Sequence, residues 1–197
     1  DGTPEAIYQG AIYMISGCGL KIDMKTSYAW LSKAEELGHL QAKVVRGLFL
    51  LYGLFGNKNA QEAFNLFREA TERGCHYGTL ALAMCYTLGR AVDVDYKQGL
   101  RLATVAIEAG YVEGNYYAGI CLKHLGVLDE SYMNLKIASD NGFPLATRQL
   151  YYWINNDTFI VTCADGGLSF MELATEQVRT LRSQFPIGLV STFRDFE

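Results

Sequence analysis

The sequence has no apolar segment long enough to span a lipid bilayer. Its longest apolar run, from Gly47 to Gly56, has about half the length that a membrane-spanning helix needs. The first residues also lack the charged and then apolar pattern of a secretory signal. We therefore expect no membrane insertion. The abrupt start at Asp1 favours an excised fragment, from which a targeting signal would be missing.

Clusters of basic residues are also absent. The chain of 197 residues has 17 Lys and Arg against 21 Asp and Glu, and its net charge is −4. The basic residues are scattered along the sequence. Nucleic acids and anionic membranes bind concentrated positive charge. We expect neither of them as a partner.

The cysteines show no pattern typical of a disulfide framework or a metal site. There are five, an odd number, with no close Cys-x-x-Cys pair and no histidine at metal-ligand spacing. We expect free, half-buried thiols in preference to disulfides or a bound metal. Free thiols favour a reducing compartment, so we expect an intracellular protein, in the cytoplasm or another reducing compartment.

Familiar catalytic motifs are missing as well. The sequence contains no Gly-x-Ser-x-Gly elbow, no phosphate-binding glycine loop and no His-Glu-x-x-His pair. Of the three histidines, His39 and His76 follow turn glycines and are predicted to be ordinary surface residues, whereas His124 is predicted to contact a ligand. We expect neither an enzyme nor a cofactor, and a hydrolase of unfamiliar type is the weakest alternative.

A repeated pair of small residues is the strongest positive feature. An alanine is followed four residues later by a glycine, and the pair returns after 36, 36 and 32 residues. Repetition at this interval is typical of helical repeat proteins. The four pairs are Ala34 and Gly38, Ala70 and Gly74, Ala106 and Gly110, and Ala138 and Gly142.

Other positions repeat in the same register. A glycine and, six residues later, an Asp or Asn that can cap a helix recur between the pairs. Each unit is therefore predicted to contain helix A, a glycine loop, a capped helix B and a glycine that ends helix B. Small residues let the helices pack closely. The repeated glycine and capping positions are Gly17 and Asp23, Gly53 and Asn59, and Gly89 and Asp95.

The segment Asp23 to His39, "DMKTSYAWLSKAEELGH", resembles the Sel-one-like repeat, a relative of the tetratricopeptide repeat. The segments Asn59 to Gly74 and Ala81 to Gly110 fit the same pattern, and the resemblance covers roughly Ala6 to Trp153. It implies an all-α fold, a right-handed αα-hairpin solenoid. It also implies a concave face that holds another protein or a peptide.

The sequence departs from the family pattern at a few places. Arg46 occupies a position that is usually Leu, and Phe55 and Gly56 replace the usual end of the glycine loop. The fourth unit lacks four residues between Leu122 and Ala138, so we expect a kinked groove there.

The repeat pattern stops after Trp153. We predict a solenoid domain over residues 1–156, with about four repeats and a final helix A, and a loop and capping helix of the same domain over residues 157–197. A short extended piece is expected around Thr158 to Thr162. Ser169 and Glu172 have capping-box spacing, which predicts an amphipathic helix from Ser169 to Phe185. This helix is expected to cover the hydrophobic flank of the last repeat, with binding of a partner as the alternative.

The resemblance also predicts a binding groove, because helix A lines the concave face in tetratricopeptide relatives. The predicted lining is mostly apolar with tyrosines at its edges, and its C-terminal end is basic. The residues are Tyr8, Ile12, Val44, Leu48, Leu51, Tyr52, Tyr77, Leu80, Met84, Leu88, Tyr116, Ile120, Lys123, His124, Arg148 and Tyr152. The same offsets place Glu5, Gln41 and Glu113 at the start of this lining.

This lining favours a scaffold or adaptor that binds an apolar or amphipathic segment. The acidic end of the segment would point toward Lys123, His124 and Arg148, because Arg pairs with carboxylates. The alternative is a regulatory or substrate-docking domain of a larger protein. Part of the groove is also a candidate for coverage by the chain's own C-terminal helix, by a neighbouring domain or by a second copy, because long apolar strips are rarely left bare.

Overall fold

The computed structural model divides the chain into two compact units, residues 1–146 and 147–197. The structure describes residues 2–17, 21–54, 56, 58–152, 154–155, 158–162 and 168–172, with side chains up to residue 150. The domain boundary expected after residue 156 stays a prediction.

The described part of the first unit is built from helices of similar length. Most have 13 residues and are joined as antiparallel hairpins, so the expected all-α hairpin solenoid is confirmed. The helices are α1 Pro4–Ser16, α2 Met24–Glu36, α3 Leu40–Tyr52, α4 Ala60–Glu72, α5 His76–Leu88, α6 Tyr96–Glu108, α7 Gly114–His124, α8 Leu128–Asp140 and α9 Pro144–Tyr152.

The odd-numbered helices of the first unit are the A helices, and the even-numbered ones are the B helices. From α1 to α8, each helix packs against the next along the chain. Helix α5 also packs directly against α3 and α7. We call the surface formed by α1, α3, α5 and α7 the helix A face.

The predicted N-caps are confirmed. Side-chain oxygens of Asp23, Asn59 and Asp95 accept hydrogen bonds from the backbone N–H three residues on, at 3.0, 3.1 and 3.0 Å. Each bond satisfies one of the amides that a helix leaves unpaired at its start. These three caps fix where α2, α4 and α6 begin.

The glycines that follow the B helices also have the predicted role. Their φ angles lie between 81° and 93°, a left-handed conformation that other residues rarely adopt. The chain therefore reverses within three residues after α2, α4 and α8 and within five residues after α6, before the next helix A begins. These glycines are Gly38, Gly74, Gly110 and Gly142.

The alanines and the other small residues are where helices approach each other. Ala34 is fully buried, as are its three counterparts at 36-residue and 32-residue steps. A Cβ atom on Gly47 would lie 2.5 Å from Cε1 of Phe67, and one on Gly119 would lie 2.7 Å from Cγ of Leu135. The close packing of helices that the sequence predicts at small residues is confirmed at these positions.

The second unit contains a small antiparallel sheet. Its strands are β1 Ile154–Asn155, β2 Thr158–Thr162 and β3 Leu168–Glu172, in that order. The extended piece expected around Thr158 to Thr162 is thus confirmed as β2.

The helix predicted from Ser169 does not begin there. Ser169 pairs with Val161 and Glu172 pairs with Thr158 in the β2–β3 ladder. The β-branched and aromatic residues of β2 favour pairing with a neighbouring strand. This cross-strand pairing overrides the capping-box spacing, which describes only the preference for starting a helix. Residues 173–185 of the predicted helix lie outside the described residues.

Candidate interaction surface on the helix A face

The predicted groove residues separate by burial. Some of them form the core between the A and B helices and offer no surface to a partner in this structure. These are Val44, Leu51, Leu80, Met84, Tyr116 and Ile120.

The other predicted residues keep part of their surface. Tyr52 is 49% exposed and Leu88 is 40% exposed. Arg148 is exposed and lies in the part of α9 that belongs to the second unit. The side chain of Tyr152 lies outside the described residues. His124 is exposed, whereas Tyr8, Ile12, Leu48, Tyr77 and Lys123 are half-buried.

At the C-terminal ends of the A helices, Tyr52 joins neighbouring repeats. Its hydroxyl donates to Sδ of Met84 at 3.4 Å, which links α3 to α5.

Burial lowers the pKa of Lys123. The ring of His124 stacks on Tyr96 of α6, with centroids 4.2 Å apart and planes 3° apart. A helix B therefore holds one face of His124, and the rest of its exposed surface remains open.

At the N-terminal ends of the A helices, His39 has a structural role, although the sequence predicts an ordinary surface residue. Its Nδ1 accepts from the backbone N–H of Ala42 at 3.1 Å and so caps α3. Its Nε2 lies 2.8 Å from Oε2 of Glu5, and its ring stacks on Tyr8 at 4.4 Å. Because Nδ1 is an acceptor, the proton lies on Nε2 and is donated to Glu5. The hydrogen bonds from Gln9 and His39 hold the pKa of Glu5 below its usual value.

A second aromatic pair joins α5 to the segment before α7, and a hydrogen bond joins that segment to α3. Tyr77 and Tyr111 stack with centroids 5.8 Å apart, and Nε2 of Gln41 donates to the Tyr111 hydroxyl at 3.3 Å. Burial, and then the nearby Glu113 carboxylate, raise the pKa of Tyr77. Burial raises the pKa of Tyr8 to about 12. These hydroxyls are therefore protonated at neutral pH.

Tyr117, next to the predicted Tyr116, faces the other tyrosines. Tyr116 is buried against Phe143, with centroids 5.1 Å apart. Burial raises the pKa of Tyr117, as do nearby Tyr52 and other tyrosines. Neither Tyr111 nor Tyr117 falls on the offsets carried over from tetratricopeptide repeats.

Comparison with known proteins decides the family. The sequence model of the Sel1 repeat matches residues 4–39, 46–75 and 76–111, just over half of the chain. The chain belongs to the Sel1 repeat family. Sel1 repeat proteins commonly serve as protein-interaction scaffolds and are generally not catalytic.

Two solved structures support the fold. A Sel1 repeat protein from Oxalobacter formigenes is 25% identical, with a TM-score of 0.56 over 81% of this chain and 47% of that protein. A protective antigen of uropathogenic Escherichia coli, c5321, displays an SLR fold and is 24% identical, with a TM-score of 0.55 over 77% of this chain and 34% of that protein. The chain thus spans about half the length of the first and a third of the second.

The unusual Arg46 of the second Sel1 repeat takes part in an ionic network away from the tyrosines. Nε of Arg46 lies 2.8 Å from Oε2 of Glu35, and Nη2 of Arg46 donates a hydrogen bond to Oε1 of Glu35 at 3.5 Å. Lys43 lies 3.6 Å from Glu35 and 2.7 Å from Glu69. The network ties α3 to both neighbouring B helices, α2 and α4.

The thiols of the Sel1 repeats are part of the core. Cys75, Cys85 and Cys121 are free and buried, and Cys18 and Cys163 lie outside the described residues. Burial raises the pKa of Cys85 to about 12 and also raises that of Cys121, so these thiols stay protonated. Over the described residues, no group of acidic, histidine and cysteine side chains could hold a metal ion. None of the helices described has the length and apolar character to cross a membrane.

Proposed function

We propose that the Sel1 repeats form a protein-interaction scaffold that binds a segment of a partner protein along the helix A face. One observation carries the proposal: partly exposed tyrosines from successive repeats adjoin on this face. Tyr52 meets α5, Tyr77 stacks on Tyr111, and Tyr8 lies within the electrostatic reach of Tyr77 and Tyr111. The face thus carries tyrosines near both ends of its helices.

Tyrosine suits this role for physical reasons. Its ring provides a large contact area at a small cost in side-chain entropy, and its hydroxyl satisfies polar groups of a bound chain. Buried residues of the same helices, such as Val44 and Leu80, form the core beneath this face. A rigid surface of this kind binds more tightly than one that must be ordered on binding.

The basic end of the face supports a directional mode of binding. Lys123 and His124 end α7. We therefore keep the expectation that acidic groups of the bound segment lie toward this end.

A capture experiment with a matched control tests the proposal. The variant Y52A/L88A removes two exposed apolar side chains from the helix A face. The control V105A/M133A removes two from the B helices α6 and α8, where both residues are also exposed. Circular dichroism confirms that both variants are folded.

We expect a partner that cross-links to the wild type and to V105A/M133A but is lost from Y52A/L88A. Purified partner should then bind Y52A/L88A at least about tenfold more weakly, as expected when central aromatic contacts are truncated. Equal binding to both variants, or equal loss from both, would contradict binding on the helix A face.

A further inference from the structure

The two ends of the helix A face carry opposite charge. The first aligned position of the four A helices holds Glu5, Gln41, Tyr77 and Glu113, with no basic residue among them. The last turn of α7 carries Lys123 and His124. A bound segment therefore meets an acidic edge and a basic edge.

Glu113 is the carboxylate available at the acidic edge. It is exposed and is the N-cap residue of α7, but its side chain makes no capping hydrogen bond. The carboxylate of Glu5, in contrast, is occupied by Gln9 and His39 at 2.8 Å each. The N-terminus of α7 favours an anion at this position, yet its partial charge of about half a unit does not neutralise a full carboxylate.

Aromatic rings lie beside Glu113. Tyr77 and Tyr111 are stacked, both are half-buried, and Glu113 acts electrostatically on Tyr77. A guanidinium or ammonium group gains from lying on a tyrosine ring and gains again from a neighbouring carboxylate. This combination recognises a basic side chain.

A hydrogen bond crosses the face at this edge. Gln41 of α3 and Tyr111, which precedes α7, are 70 residues apart in sequence but are joined by a 3.3 Å hydrogen bond. A helix with its side chains is about 10–12 Å across and would need these two side chains to separate. An extended chain has a smaller cross-section than a helix and so needs less room beside them.

The distance between the two edges sets a spacing. Lys123 lies ten residues after Glu113 along α7, which corresponds to about 15 Å at 1.5 Å per residue. An extended chain covers that distance in about four to five residues. Burial already disfavours the charge on Lys123, so a carboxylate placed beside it gains more than one beside a fully hydrated lysine.

We propose that the segment bound on the helix A face is extended, places a basic side chain against Glu113 and Tyr77, and places an acidic one at Lys123, about four to five residues away. This inference rests on the proposed function and names the chemistry of the partner. It predicts a charge pattern that can be tested before the partner is known.

The probes are synthetic fluorescent eight-residue peptides. The first carries Arg and Glu four residues apart among Ser and Leu, and the second has Gln at both charged positions. The third has Arg and Glu two residues apart, and a fourth, longer peptide is stapled as a helix with the charges ten residues apart. Affinities are measured by fluorescence anisotropy, and the bound surface is identified from amide shifts of the 15N-labelled chain.

We expect the first peptide to bind about five- to tenfold more tightly than the second and third, as expected for an ion pair combined with a cation–π contact. E113Q should remove the preference for Arg, and K123Q the preference for Glu. E130Q, which removes an exposed carboxylate from the first turn of α8, is the control and should change nothing.

Three results would overturn the inference. Equal affinity of the first two peptides, or an unchanged preference in E113Q, would refute the charge pattern but leave the proposed function standing, because the uncharged peptide would still bind the helix A face. Tighter binding of the stapled helix would refute the extended conformation. If no peptide shifts the amides of this face at millimolar concentration, the inference fails, and loss of the captured partner from Y52A/L88A decides the proposed function separately.

Discussion

The first three repeats and the fourth unit close their hairpins in different ways. In the first three, seven residues connect helix A to helix B, and an Asp or Asn caps helix B. In the fourth, three residues connect α7 to α8, and the N-cap residue Val127 makes no side-chain hydrogen bond. The four missing residues have thus removed both the long loop and the cap.

The packing of the fourth hairpin is nevertheless preserved. Leu135 is fully buried beneath Gly119, and the Ser131 hydroxyl donates to the Gly119 carbonyl oxygen. Gly126, at φ 82°, makes the tight turn. The difference teaches that the close contact between small and large residues specifies the hairpin, whereas the loop and the cap adjust where helix B begins.

The largest effect is expected from the core residues beneath the small positions. Phe67→Ala should lower the free energy of unfolding by about 3–5 kcal/mol and Leu135→Ala by about 2–5 kcal/mol, because both side chains are fully buried and leave cavities. Urea unfolding followed by circular dichroism measures both. Leu37→Ala, at an exposed position, is the control and should change stability by less than about 0.5 kcal/mol. A cost below about 1 kcal/mol for Leu135→Ala would contradict the idea that packing holds the fourth hairpin together.

The ionic network gives the next largest effect and distinguishes two joints between repeats. Arg46→Leu should lower stability by about 1–3 kcal/mol, because it leaves the largely buried Glu35 with Lys43 alone, 3.6 Å away. One repeat later, Thr71 and Leu82 occupy the equivalent positions.

The double variant E35T/R46L therefore copies that joint and should recover most of the loss, since an apolar contact can replace a buried ion pair. The same urea titration compares the two variants. A double variant less stable than R46L would show that the network stabilises this joint beyond satisfying its own charges.

Features that depend on local sequence were predictable. The caps at Asp23 and Asn59 and the turn at Gly38 were correctly identified, because a cap or a left-handed turn is decided by a few adjacent residues. The 36-residue register then placed the buried alanines, since each repeat packs like its neighbours.

Features that depend on contacts between different elements were not predictable. Arg46 was noticed as a departure, but its contact with Glu35 requires the two helices to be aligned around a turn. Tyr117 lies one position from the predicted Tyr116, and one residue on a helix rotates a side chain by about 100°. The capping-box spacing predicts a helix at Ser169, because it takes no account of the pairing with Val161, eight residues earlier.

The caps should have smaller effects of opposite sign in the two kinds of hairpin. Asn59→Ala removes the bond to the Glu62 amide and should cost about 1 kcal/mol. Val127→Thr supplies the missing cap of α8 in front of Glu130, forms a capping box, and should add up to about 1 kcal/mol. The melting temperature by circular dichroism measures both. Val127→Ala is the control for loss of the valine side chain, and a Thr variant no more stable than this Ala variant would mean that the short turn cannot place the hydroxyl.

The smallest effect is a local loss of stability in acid, which is expected only where an Asp caps helix B of the hairpin. The hydrogen bonds from the Thr26 hydroxyl and then the Thr26 amide hold the pKa of Asp23 below its ordinary value of 3.8. Because the folded-state pKa is the lower one, the stabilising contribution is present above the ordinary value and is lost as the pH falls through the folded-state pKa. Hydrogen exchange in the first turn of α2 should therefore accelerate at acidic pH relative to its rate in Asp23→Asn, which keeps an acceptor that does not titrate. The first turn of α8 has no such carboxylate cap, so its exchange should be the same in both proteins across this pH range. Equal acceleration of α2 in the wild type and in Asp23→Asn would assign the acid response to other carboxylates and remove this distinction between the hairpins.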